Sequence, residues 1–536
     1  MVKLYDNIRQ LIEDASVKHG KRLAFKIKKQ RKIYDDITYL RLREEMESMG
    51  KYLISQNLAG KRVAVIGKNS YQWMLVYLSV LATGGIIVPL DRGLFPEEIH
   101  EQLTRSGAQA IFYGDEFEET LSSRDDTFKM CIDSEDFEGA IEIGKTLDNK
   151  TYKNIKVDGS ELSILLFTSG TTAASKAVML TQKNITANVY GMTVWENFDK
   201  NDVNMALLPF HHTFGMTQIV LFLSVGMCNV FCEGLRIARC LLEYNVTVLV
   251  GVPRIIEEIH NTVNKKLKSQ NKLEKVSRGI QISNALRKFG IDIRRKLFKE
   301  LLDAMGGLRM VIVGAAPADP EVLKWFNDIG VLTVLGYGLT ETAPTLTAES
   351  YKCMRRGSVG KALPNVELKI DTPDENGIGE IIAKGDNVML GYYNDEESTN
   401  AVLKNGWFYT GDMGYFDSDG YLYITGRKKN VIVLNNGKNV FPEELESLIS
   451  SSEYIKECLV YNDTESGKDC ITAKIVYNAD YTVEEIRRRV KDHIDKINTR
   501  LASYKQIKDY FLTEIEMEKT TTLKIKRWNT VSKTTV

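Results

Sequence analysis

The segment LLFTSGTTAASKAVML, Leu165 to Leu180, decides how the rest of the sequence is interpreted. Its apolar start predicts a buried strand, which gives way at Thr168 to small and hydroxyl-bearing residues and ends at Lys176. Such a loop offers successive backbone N–H groups, hydroxyls and a lysine, a combination that can wrap a polyphosphate. The second glycine and the Lys-Ser/Thr pair of the Walker A motif are absent. Taken alone, the segment fits a phosphate-binding loop and a plain Ser/Thr-rich turn about equally.

On both sides of this loop, short β-branched runs alternate with helical patterns, which favours parallel strands with crossover helices. Strand after strand ends in a glycine or proline turn, where α/β proteins place their ligands. The runs are RVAVIG from Arg62, IIVPL from Ile86, AIFYG from Ala110, NMALLP from Asn204, TVLVGVP from Thr247 and RMVIVGAAP from Arg309. We therefore predict a large α/β domain of parallel sheets.

Beyond Ala362 the pattern changes to short alternating strands with turn signals, which predicts a small antiparallel, barrel-like subdomain. The polar segment GRKKN, starting at Gly426, precedes a unit of about 110 residues, within the usual size range of a domain. Its helical and strand patterns predict an α+β fold. The predicted domains are therefore residues 1–426 and 427–536.

Composition excludes some classes of function. The 536 residues contain 71 Lys and Arg against 71 Asp and Glu, so no net charge recruits nucleic acid. The seven cysteines include no C-x-x-C pair, and we interpret them as reduced thiols of a cytosolic protein. Charges throughout the first twenty residues argue against a signal peptide.

Three further stretches raise the question of membrane contact. Residues 69–90 and 203–232 carry no charge, but polar residues, glycines and prolines interrupt them, so we predict buried core and no spanning helix. Residues 261–300 hold twelve Lys or Arg against three acidic residues, with apolar residues at helical spacing. A solvated helical hairpin is favoured there, and a membrane-surface or phosphate-binding patch is the alternative.

A second informative motif is VLGYGLTETAP, Val334 to Pro344, at the end of a predicted strand. Tyr337 can stack on a base, Thr340 can hydrogen-bond to a phosphate, and Glu341 can bind Mg²⁺, which prefers oxygen ligands. The alternative is a helix start that Thr340 merely caps.

Two more motifs lie further along the chain. In the segment GDMGYFDSDGYLYITGR, Asp412 is predicted to lie in a tight turn and Arg427 at the end of a strand. An isolated aspartate there can also simply fix a turn, as Asp417 and Asp419 do by prediction. Lys524 lies in the basic, Thr-rich tail EKTTTLKIKRW, whose alternative is disorder.

In this order and at these separations, the four motifs resemble the AMP-forming adenylate superfamily, which includes acyl-CoA synthetases, luciferases and the adenylation domains of peptide synthetases. The resemblance covers nearly the whole chain. Further matches are ITYLRLREE near Thr38, LLPFHHTFG with His212, VGAAP at 313–317 and NGKNVFPEELE at 436–446. It implies that a carboxylate attacks the α-phosphate of ATP to give an acyl-adenylate and pyrophosphate, after which a thiol displaces AMP.

The resemblance also implies a role for each matching residue. In the family, the loop binds the β- and γ-phosphates, a threonine contacts the α-phosphate, and a glutamate binds Mg²⁺. Further positions bind the adenine and the ribose. A lysine of the small domain bridges the carboxylate and α-phosphate, and that domain then swings about a hinge residue to present another loop for the thiol step. By this resemblance, the phosphate loop contains Thr168, Ser169, Gly170, Thr171, Thr172 and Lys176, while Thr340 contacts the α-phosphate and Glu341 binds Mg²⁺. Ala315, Ala316 and Tyr337 line the adenine site, and Asp412 binds the ribose with Arg427 beside it. Lys524 is the lysine of the small domain, Lys429 is the hinge residue, and Gly437 lies in the loop presented for the thiol step.

His212 resembles the family's residue at the junction of acyl channel and adenylate, and we favour it over its neighbour His211 because alternate positions point to opposite faces. The chain also departs from the family pattern. Alanine or leucine replaces the usual glycine at Ala173, Ala177 and Leu523, and serine replaces proline at Ser175. Where the replaced glycine needed a positive φ, alanine costs about 1 kcal/mol or more.

The motifs most resemble those of bacterial long-chain fatty acid:CoA ligases, which implies a fatty acid and CoA as substrates with ATP and Mg²⁺ as cofactors. One alternative acceptor is the phosphopantetheine thiol of an acyl carrier protein. Another alternative is a non-catalytic protein that binds nucleotide or acyl groups, motivated by the replaced glycines. The expected location is the cytoplasm, with peripheral contact at the inner membrane face left open.

Overall fold

A computed structural model describes residues 2–30, 33–124, 127–168, 175–232, 236–435, 438–452, 454–463, 469–478, 482–519, 525 and 527. Its first elements alternate between helix and strand, as the sequence pattern predicts. They are α1 Ile8–His19, β1 Leu23–Gln30, β2 Ile33–Thr38, α2 Tyr39–Ser55, β3 Arg62–Ile66, α3 Tyr71–Ala82, β4 Ile86–Pro89, α4 Pro96–Ser106, β5 Ala110–Tyr113, α5 Glu118–Leu121, β6 Phe128–Cys131, α6 Glu135–Thr146, α7 Lys150–Asn154, β7 Leu162–Thr168, β8 Lys176–Thr181 and α8 Gln182–Trp195.

The alternation continues to α11, after which three more helices precede β12, and three strands end this part at residue 362. The elements are β9 Val203–Ala206, α9 Thr213–Val225, β10 Cys228–Phe231, α10 Ile237–Tyr244, β11 Val248–Gly251, α11 Pro253–Ser269, α12 Leu273–Arg287, α13 Arg294–Leu297, α14 Lys299–Asp303, β12 Met310–Val313, α15 Pro320–Asp328, β13 Leu332–Gly338, β14 Thr345–Ala348 and β15 Lys361–Ala362.

Short strands then dominate, and two longer helices follow near the end. The elements are β16 Val366–Asp371, β17 Gly379–Gly385, β18 Gly391–Tyr392, α16 Glu396–Val402, β19 Leu403–Lys404, β20 Trp407–Phe416, β21 Leu422–Arg427, β22 Ile432–Val433, β23 Asn439–Val440, α17 Pro442–Ile449, β24 Ile455–Asn462, β25 Ile471–Tyr477, α18 Val483–Asn498 and β26 Asp509–Thr513.

Two large sheets form the α/β part. One has the order β18-β8-β7-β4-β3-β5-β6, in which β7, β4, β3, β5 and β6 are parallel, β8 pairs antiparallel with β7, and β18 pairs antiparallel with β8. The other has the order β15-β14-β13-β12-β11-β9-β10-β1-β2, parallel from β13 to β1. A smaller antiparallel sheet has the order β16-β17-β20-β19, with β21 beside β20. The predicted fold class, parallel α/β sheets with a small antiparallel sheet and an α+β unit, is confirmed.

The uncharged stretch at 69–90 folds as buried core. Ser70 caps α3 by accepting a hydrogen bond from the amide of Trp73, and nearly every α3 side chain is buried. Gly84 adopts a φ of +70°, a conformation that glycine tolerates, and the chain turns there into β4. Within the described ranges, no helix is long and apolar enough to cross a membrane.

The described chain divides into two compact units. The first contains the described residues of spans 1–168, 174–368 and 383–408, and the second those of spans 369–382 and 409–536. The last part of the second unit has its own core, in which α17 and α18 pack against strands β24 and β25 through Leu445, Ile475 and Val490. The sequence-based boundary at residue 426 stays a prediction.

Candidate active site

The stem of the predicted phosphate loop is an antiparallel strand pair. Thr168, the last residue of β7, pairs with Lys176, the first of β8, and the Thr168 hydroxyl donates to the Lys176 carbonyl at 3.3 Å. The two ends of the loop therefore lie side by side in the first unit. Ser169, Gly170, Thr171, Thr172 and Ala173 fall outside the described residues, so their predicted role stays a prediction.

Ala177 occupies a position where the family usually has glycine. It lies within β8, opposite Phe167, and is 3% exposed. Its φ is not among the positive values found in the described chain. The alanine therefore carries no left-handed backbone penalty at this position.

Arg105, in the last turn of α4, holds the second end of the loop. Its guanidinium donates to the Ser175 carbonyl at 2.7 Å and to the Ser175 hydroxyl at 3.2 Å. The same group lies 5.3 Å from the centre of the Phe167 ring. Sequence reasoning missed this residue, because it stands 70 positions before Ser175 in a helix with no motif of its own.

Glu341 and Lys176 are linked through Tyr392. The two-residue strand β18 pairs with β8, placing Tyr392 opposite Val178. The Tyr392 hydroxyl donates to Glu341 Oε1 at 2.9 Å, and Lys176 Nζ lies 4.7 Å from the Tyr392 ring centre, within cation–π range. The predicted metal ligand and the predicted phosphate-binding lysine therefore both contact one buried tyrosine.

The segment just before β18 also holds the backbone around Glu341. The Met389 amide donates to the Glu341 carbonyl at 2.8 Å, and the Asn387 side chain donates to the Thr342 carbonyl at 2.9 Å. Thr340 begins the 3₁₀ turn Thr340–Thr342, whose cap position is Leu339. Thr340 is thus not the cap, contrary to the alternative interpretation of its hydroxyl.

The predicted adenine residues follow two neighbouring parallel strands. Val313 of β12 pairs with Leu335 of β13, so Ala315 and Tyr337 lie two residues beyond paired positions at the carboxyl edge of the sheet. Ala315 adopts a φ of +71°, which costs an alanine about 1 kcal/mol. Ala315 and Ala316 are exposed and Tyr337 is half-buried. The edge therefore offers open backbone beside an aromatic ring.

Both histidines lie in a loop that Asn69 anchors. The Asn69 side chain donates to the Leu208 carbonyl at 2.8 Å and accepts from the Phe210 amide at 3.0 Å. His212 occupies the N-cap position of α9, while His211 Nε2 lies 3.3 Å from Asp91 Oδ1. The acidic partner of His211 follows strand β4, and no sequence signal indicated it. The preference for His212 stays a prediction.

In the second unit, Asp412 and Arg427 pair across β20 and β21. Arg427 Nε lies 2.8 Å from Asp412 Oδ1, and Asp412 is 5% exposed. The Asp412 amide donates to the Thr410 hydroxyl at 3.1 Å. By contrast, Asp417 fixes the turn between these strands by accepting from the amides of Asp419 and Tyr421. Asp412 is therefore a strand residue and not a turn residue.

Lys429, the predicted hinge, lies in the 3₁₀ turn Lys428–Asn430. Burial and the nearby positive charges of Arg427 and Arg527 lower the pKa of its ammonium group. The residues on either side of Lys429 form polar contacts: Lys428 pairs with Glu380 at 2.7 Å, and the Asn430 side chain donates to Glu443 at 2.6 Å.

Lys524 and Gly437 lie outside the described residues. Three residues after Lys524, Arg527 pairs with Glu446 at 2.5 Å and with Glu443 at 3.5 Å, and it donates to the Val460 carbonyl. On the other side, Lys519 pairs with Glu457 and forms a β-bridge with Ile525. Described residues on both sides of Lys524 are therefore held within the second unit.

Comparisons with known proteins identify relatives of both parts of the chain. A model of the AMP-binding enzyme family matches residues 12–393, and a model of the AMP-binding enzyme C-terminal domain matches residues 429–535. A long-chain-fatty-acid–CoA ligase of Mycobacterium bovis is 27% identical over 463 residues, covering 81% of this chain and 76% of that protein. A 2-succinylbenzoate–CoA ligase of Bacillus mycoides is also 27% identical, over 480 residues that cover 86% and 88%.

Among solved structures, the fold resembles that of O-succinylbenzoate coenzyme A synthetase from Bacillus subtilis in complex with ATP and magnesium ion. The TM-score is 0.73 at 21% identity, over 97% of this chain and 98% of that chain. At this identity, the likeness shows a shared fold.

Proposed function

We propose that this chain, which belongs to the AMP-binding enzyme family, joins a fatty acid to coenzyme A. The family includes acid–CoA ligases, and the proposal rests on this membership and on the geometry of the first unit. The observation that carries the proposal is the arrangement of Lys176, Tyr392 and Glu341. It puts a cation and a carboxylate beside the stem of a loop suited to phosphates.

The proposed reaction has two steps. The acid's carboxylate oxygen attacks the α-phosphorus of ATP and pyrophosphate leaves, giving an acyl-adenylate. The sulfur of CoA then attacks the acyl carbon and AMP leaves, giving the thioester. Activation is needed because oxide is a poor leaving group, and fixed cations and N–H groups stabilise the charge that builds on the phosphates.

In this proposal the loop from Thr168 to Lys176 binds the β- and γ-phosphates, and Thr340 contacts the α-phosphate. Tyr337, Ala315 and Ala316 line the adenine site. Asp412 accepts hydrogen bonds from the ribose hydroxyls, with Arg427 setting its orientation, and Lys524 acts in the first step. The part of the chain from residue 427 is a mobile lid that turns at Lys429 and presents Gly437 for the second step.

The residues at Glu341 fit a hard dication. Tyr392 occupies Oε1, and the described residues provide no hydrogen-bond donor to Oε2, so a carboxylate oxygen is available as a ligand. Mg²⁺ bound there with ATP would neutralise phosphate charge. Tyr392 would keep the carboxylate oriented.

The choice of a fatty acid rests on the long-chain-fatty-acid–CoA ligase relative. The 2-succinylbenzoate–CoA ligase relative has the same identity, so an aromatic acid is the main competing substrate. Neither relative points to an acyl carrier protein as the thiol donor.

Pyrophosphate release tests this proposal. Purified protein with ATP and Mg²⁺ is given saturated acids from C6 to C18, hydroxy and oxo fatty acids, benzoate and 2-succinylbenzoate, with CoA or holo acyl carrier protein as acceptor. We expect release and CoA thioester formation with one or more fatty acids. Turnover of only the aromatic acids would overturn the fatty acid assignment, and nucleotide binding without any release would favour a non-catalytic protein.

A further inference from the structure

Helix α9, which starts directly after His212, carries a buried amide, that of Gln218, for which the described residues provide no hydrogen-bond partner. Gln218 is only 4% exposed. Neither its amide nitrogen nor its amide oxygen has a hydrogen-bond partner among the described residues. The side chains that follow it, from Ile219 to Phe222, are apolar and buried. A buried polar group without a partner costs free energy, so such a group calls for an explanation.

A second buried glutamine shows what the same core does when the amide is structural. Gln182, the first residue of α8, is fully buried. Its Oε1 accepts from the Ile8 amide at 2.9 Å, and its Nε2 donates to the Leu81 carbonyl at 3.0 Å. Gln182 thus joins three segments through both ends of its amide. Among the described residues, Gln218 joins none.

Gln218 lies on the face of α9 that meets the active-site segments. Residues at i, i+3 and i+4 share one face of a helix, so Gln218 shares its face with Phe214 and Thr217. A Cβ atom at Gly314, next to Ala315, would lie 3.2 Å from the Phe214 ring. The Thr217 hydroxyl lies 3.5 Å from the carbonyl of Ala343, two residues after Glu341. This face is therefore directed toward the predicted adenylate site.

The distance along the helix indicates what could reach the amide. Gln218 is six residues beyond His212, or about 9 Å along the axis at 1.5 Å per residue. With the carboxyl group near His212, where the resemblance to the family places the junction of acyl channel and adenylate, a chain running along α9 would bring carbons well beyond the carboxyl carbon to Gln218.

We propose that Gln218 is a specificity-determining residue that hydrogen-bonds to a hydroxyl or oxo group on the chain of the acid. The substrate class is then a hydroxy- or oxo-substituted fatty acid, with the substituent several carbons from the carboxyl group. Nε2 donates to either kind of oxygen, and Oε1 also accepts from a hydroxyl. This inference rests on the proposed function for the acid substrate and on the predicted place of His212 for the position of its carboxyl group.

Kinetics with matched acids test the inference. Wild type, Gln218→Met and Gln182→Met are assayed with C8 to C14 acids, unsubstituted or with a hydroxyl or oxo group at successive positions. Methionine keeps the length of the side chain but offers no amide. For wild type we expect kcat/KM at least about tenfold higher for the best substituted acid than for its unsubstituted counterpart. In Gln218→Met this ratio should fall below about threefold, with the KM for ATP unchanged.

The control variant separates a structural role from recognition. Gln182→Met should lower Tm and leave the acid preference unchanged, whereas Gln218→Met should keep or raise Tm because none of the described residues loses a hydrogen bond. The inference is overturned if wild type shows no preference for substituted acids, or if Gln218→Met retains it, as expected when the amide binds only a buried water.

Direct binding keeps the two proposals distinguishable. If wild type releases no pyrophosphate with any acid, the proposed function fails, and calorimetric titration of the same acids into wild type and Gln218→Met then decides the inference. Tighter binding of a substituted acid that depends on Gln218 supports it. Equal binding of substituted and unsubstituted acids rejects it.

Discussion

The hydroxyl of Tyr392 donates to Glu341 Oε1 at 2.9 Å, joining two residues that are 51 positions apart in the chain. Because the same ring lies 4.7 Å from Lys176 Nζ, one side chain orients a carboxylate with its hydroxyl and contacts a cation with its face. The two functions can be separated by substitution, since phenylalanine keeps the ring and loses the hydroxyl.

Tyr392→Phe should therefore raise the Mg²⁺ concentration for half-maximal pyrophosphate release by about tenfold or more, because a hydrogen bond to a charged group contributes about 1.5–3 kcal/mol. The contact with Lys176 remains, so the KM for ATP at saturating Mg²⁺ should change little. Tyr393→Phe is the matched control, since the Tyr393 ring instead packs against Arg62. Equal Mg²⁺ titrations for both variants would contradict the assigned role.

Glu341→Gln tests the charge and not the orientation. An amide oxygen still accepts from Tyr392 but is a weaker ligand for a hard dication than a carboxylate oxygen. We expect a larger rise in the Mg²⁺ requirement than in Tyr392→Phe, with Tm nearly unchanged. A Mg²⁺ titration identical to that of wild type would remove Glu341 from the metal site.

Much of the fold could be predicted because its signals are local. In the sequence, strands β7, β12 and β13 are each followed by a glycine- or hydroxyl-rich segment, and such a segment marks the end of a strand without tertiary context. The pairing of β18 with β8 was not predictable, because two residues carry no periodicity and their partner strand lies far away in the sequence.

The candidate site shows the same limit. Thr168, Lys176, Tyr337 and Glu341 belong to motifs and were predicted. Arg105 and Tyr392 reach these motifs only through packing, and Gln218 became notable only when burial showed its amide without a partner among the described residues. A sequence gives the identity of such residues but does not show which neighbours form their hydrogen bonds and packing contacts.

Arg105→Ala should raise the KM for ATP by about three- to tenfold with little change in kcat, because loss of the two hydrogen bonds to Ser175 frees one end of the predicted phosphate loop. Arg124→Ala is the control, since Arg124 also contacts α4, through the His100 carbonyl, and not Ser175. Ser175→Pro in the Arg105→Ala background should recover part of the ATP affinity, because proline fixes φ at that position. A parallel loss of kcat and Tm in Arg105→Ala would indicate a general structural role instead.

Two buried carboxyl groups make stability depend on pH. Burial raises the pKa values of Glu196 and Glu349 to about 7, above the ordinary value of a glutamate. A raised folded-state pKa means that the folded protein holds its protons longer than the unfolded chain does. Their contribution is therefore complete below about pH 4.5 and is lost as pH rises through about 7.

We expect the free energy of unfolding of wild type to fall between pH 5 and pH 8 by about 1–3 kcal/mol more than that of Glu196→Gln/Glu349→Gln. Urea denaturation at pH 5, 6, 7 and 8 measures the difference. Every other titratable group is present in both proteins, so its effect cancels in the comparison. Parallel pH profiles would show that neither carboxyl group titrates in this range.

Ala177→Gly tests whether the absence of the family's usual glycine at this position weakens the activity of this chain. Ala177 is buried in a strand, its φ is not positive, and its methyl group packs in a core with Leu165 and Val88. Glycine there should lower the free energy of unfolding by about 1 kcal/mol or more, through backbone entropy and a lost methyl contact, and should not raise turnover. Ala315→Gly is the opposite case, because a φ of +71° already strains alanine. Relief of that strain offsets the entropy cost, so its Tm should stay the same or rise. Faster pyrophosphate release by Ala177→Gly would mean that Ala177 limits turnover although its backbone conformation is ordinary. The alanine would then have to slow a motion of the loop, since it does not strain the folded conformation.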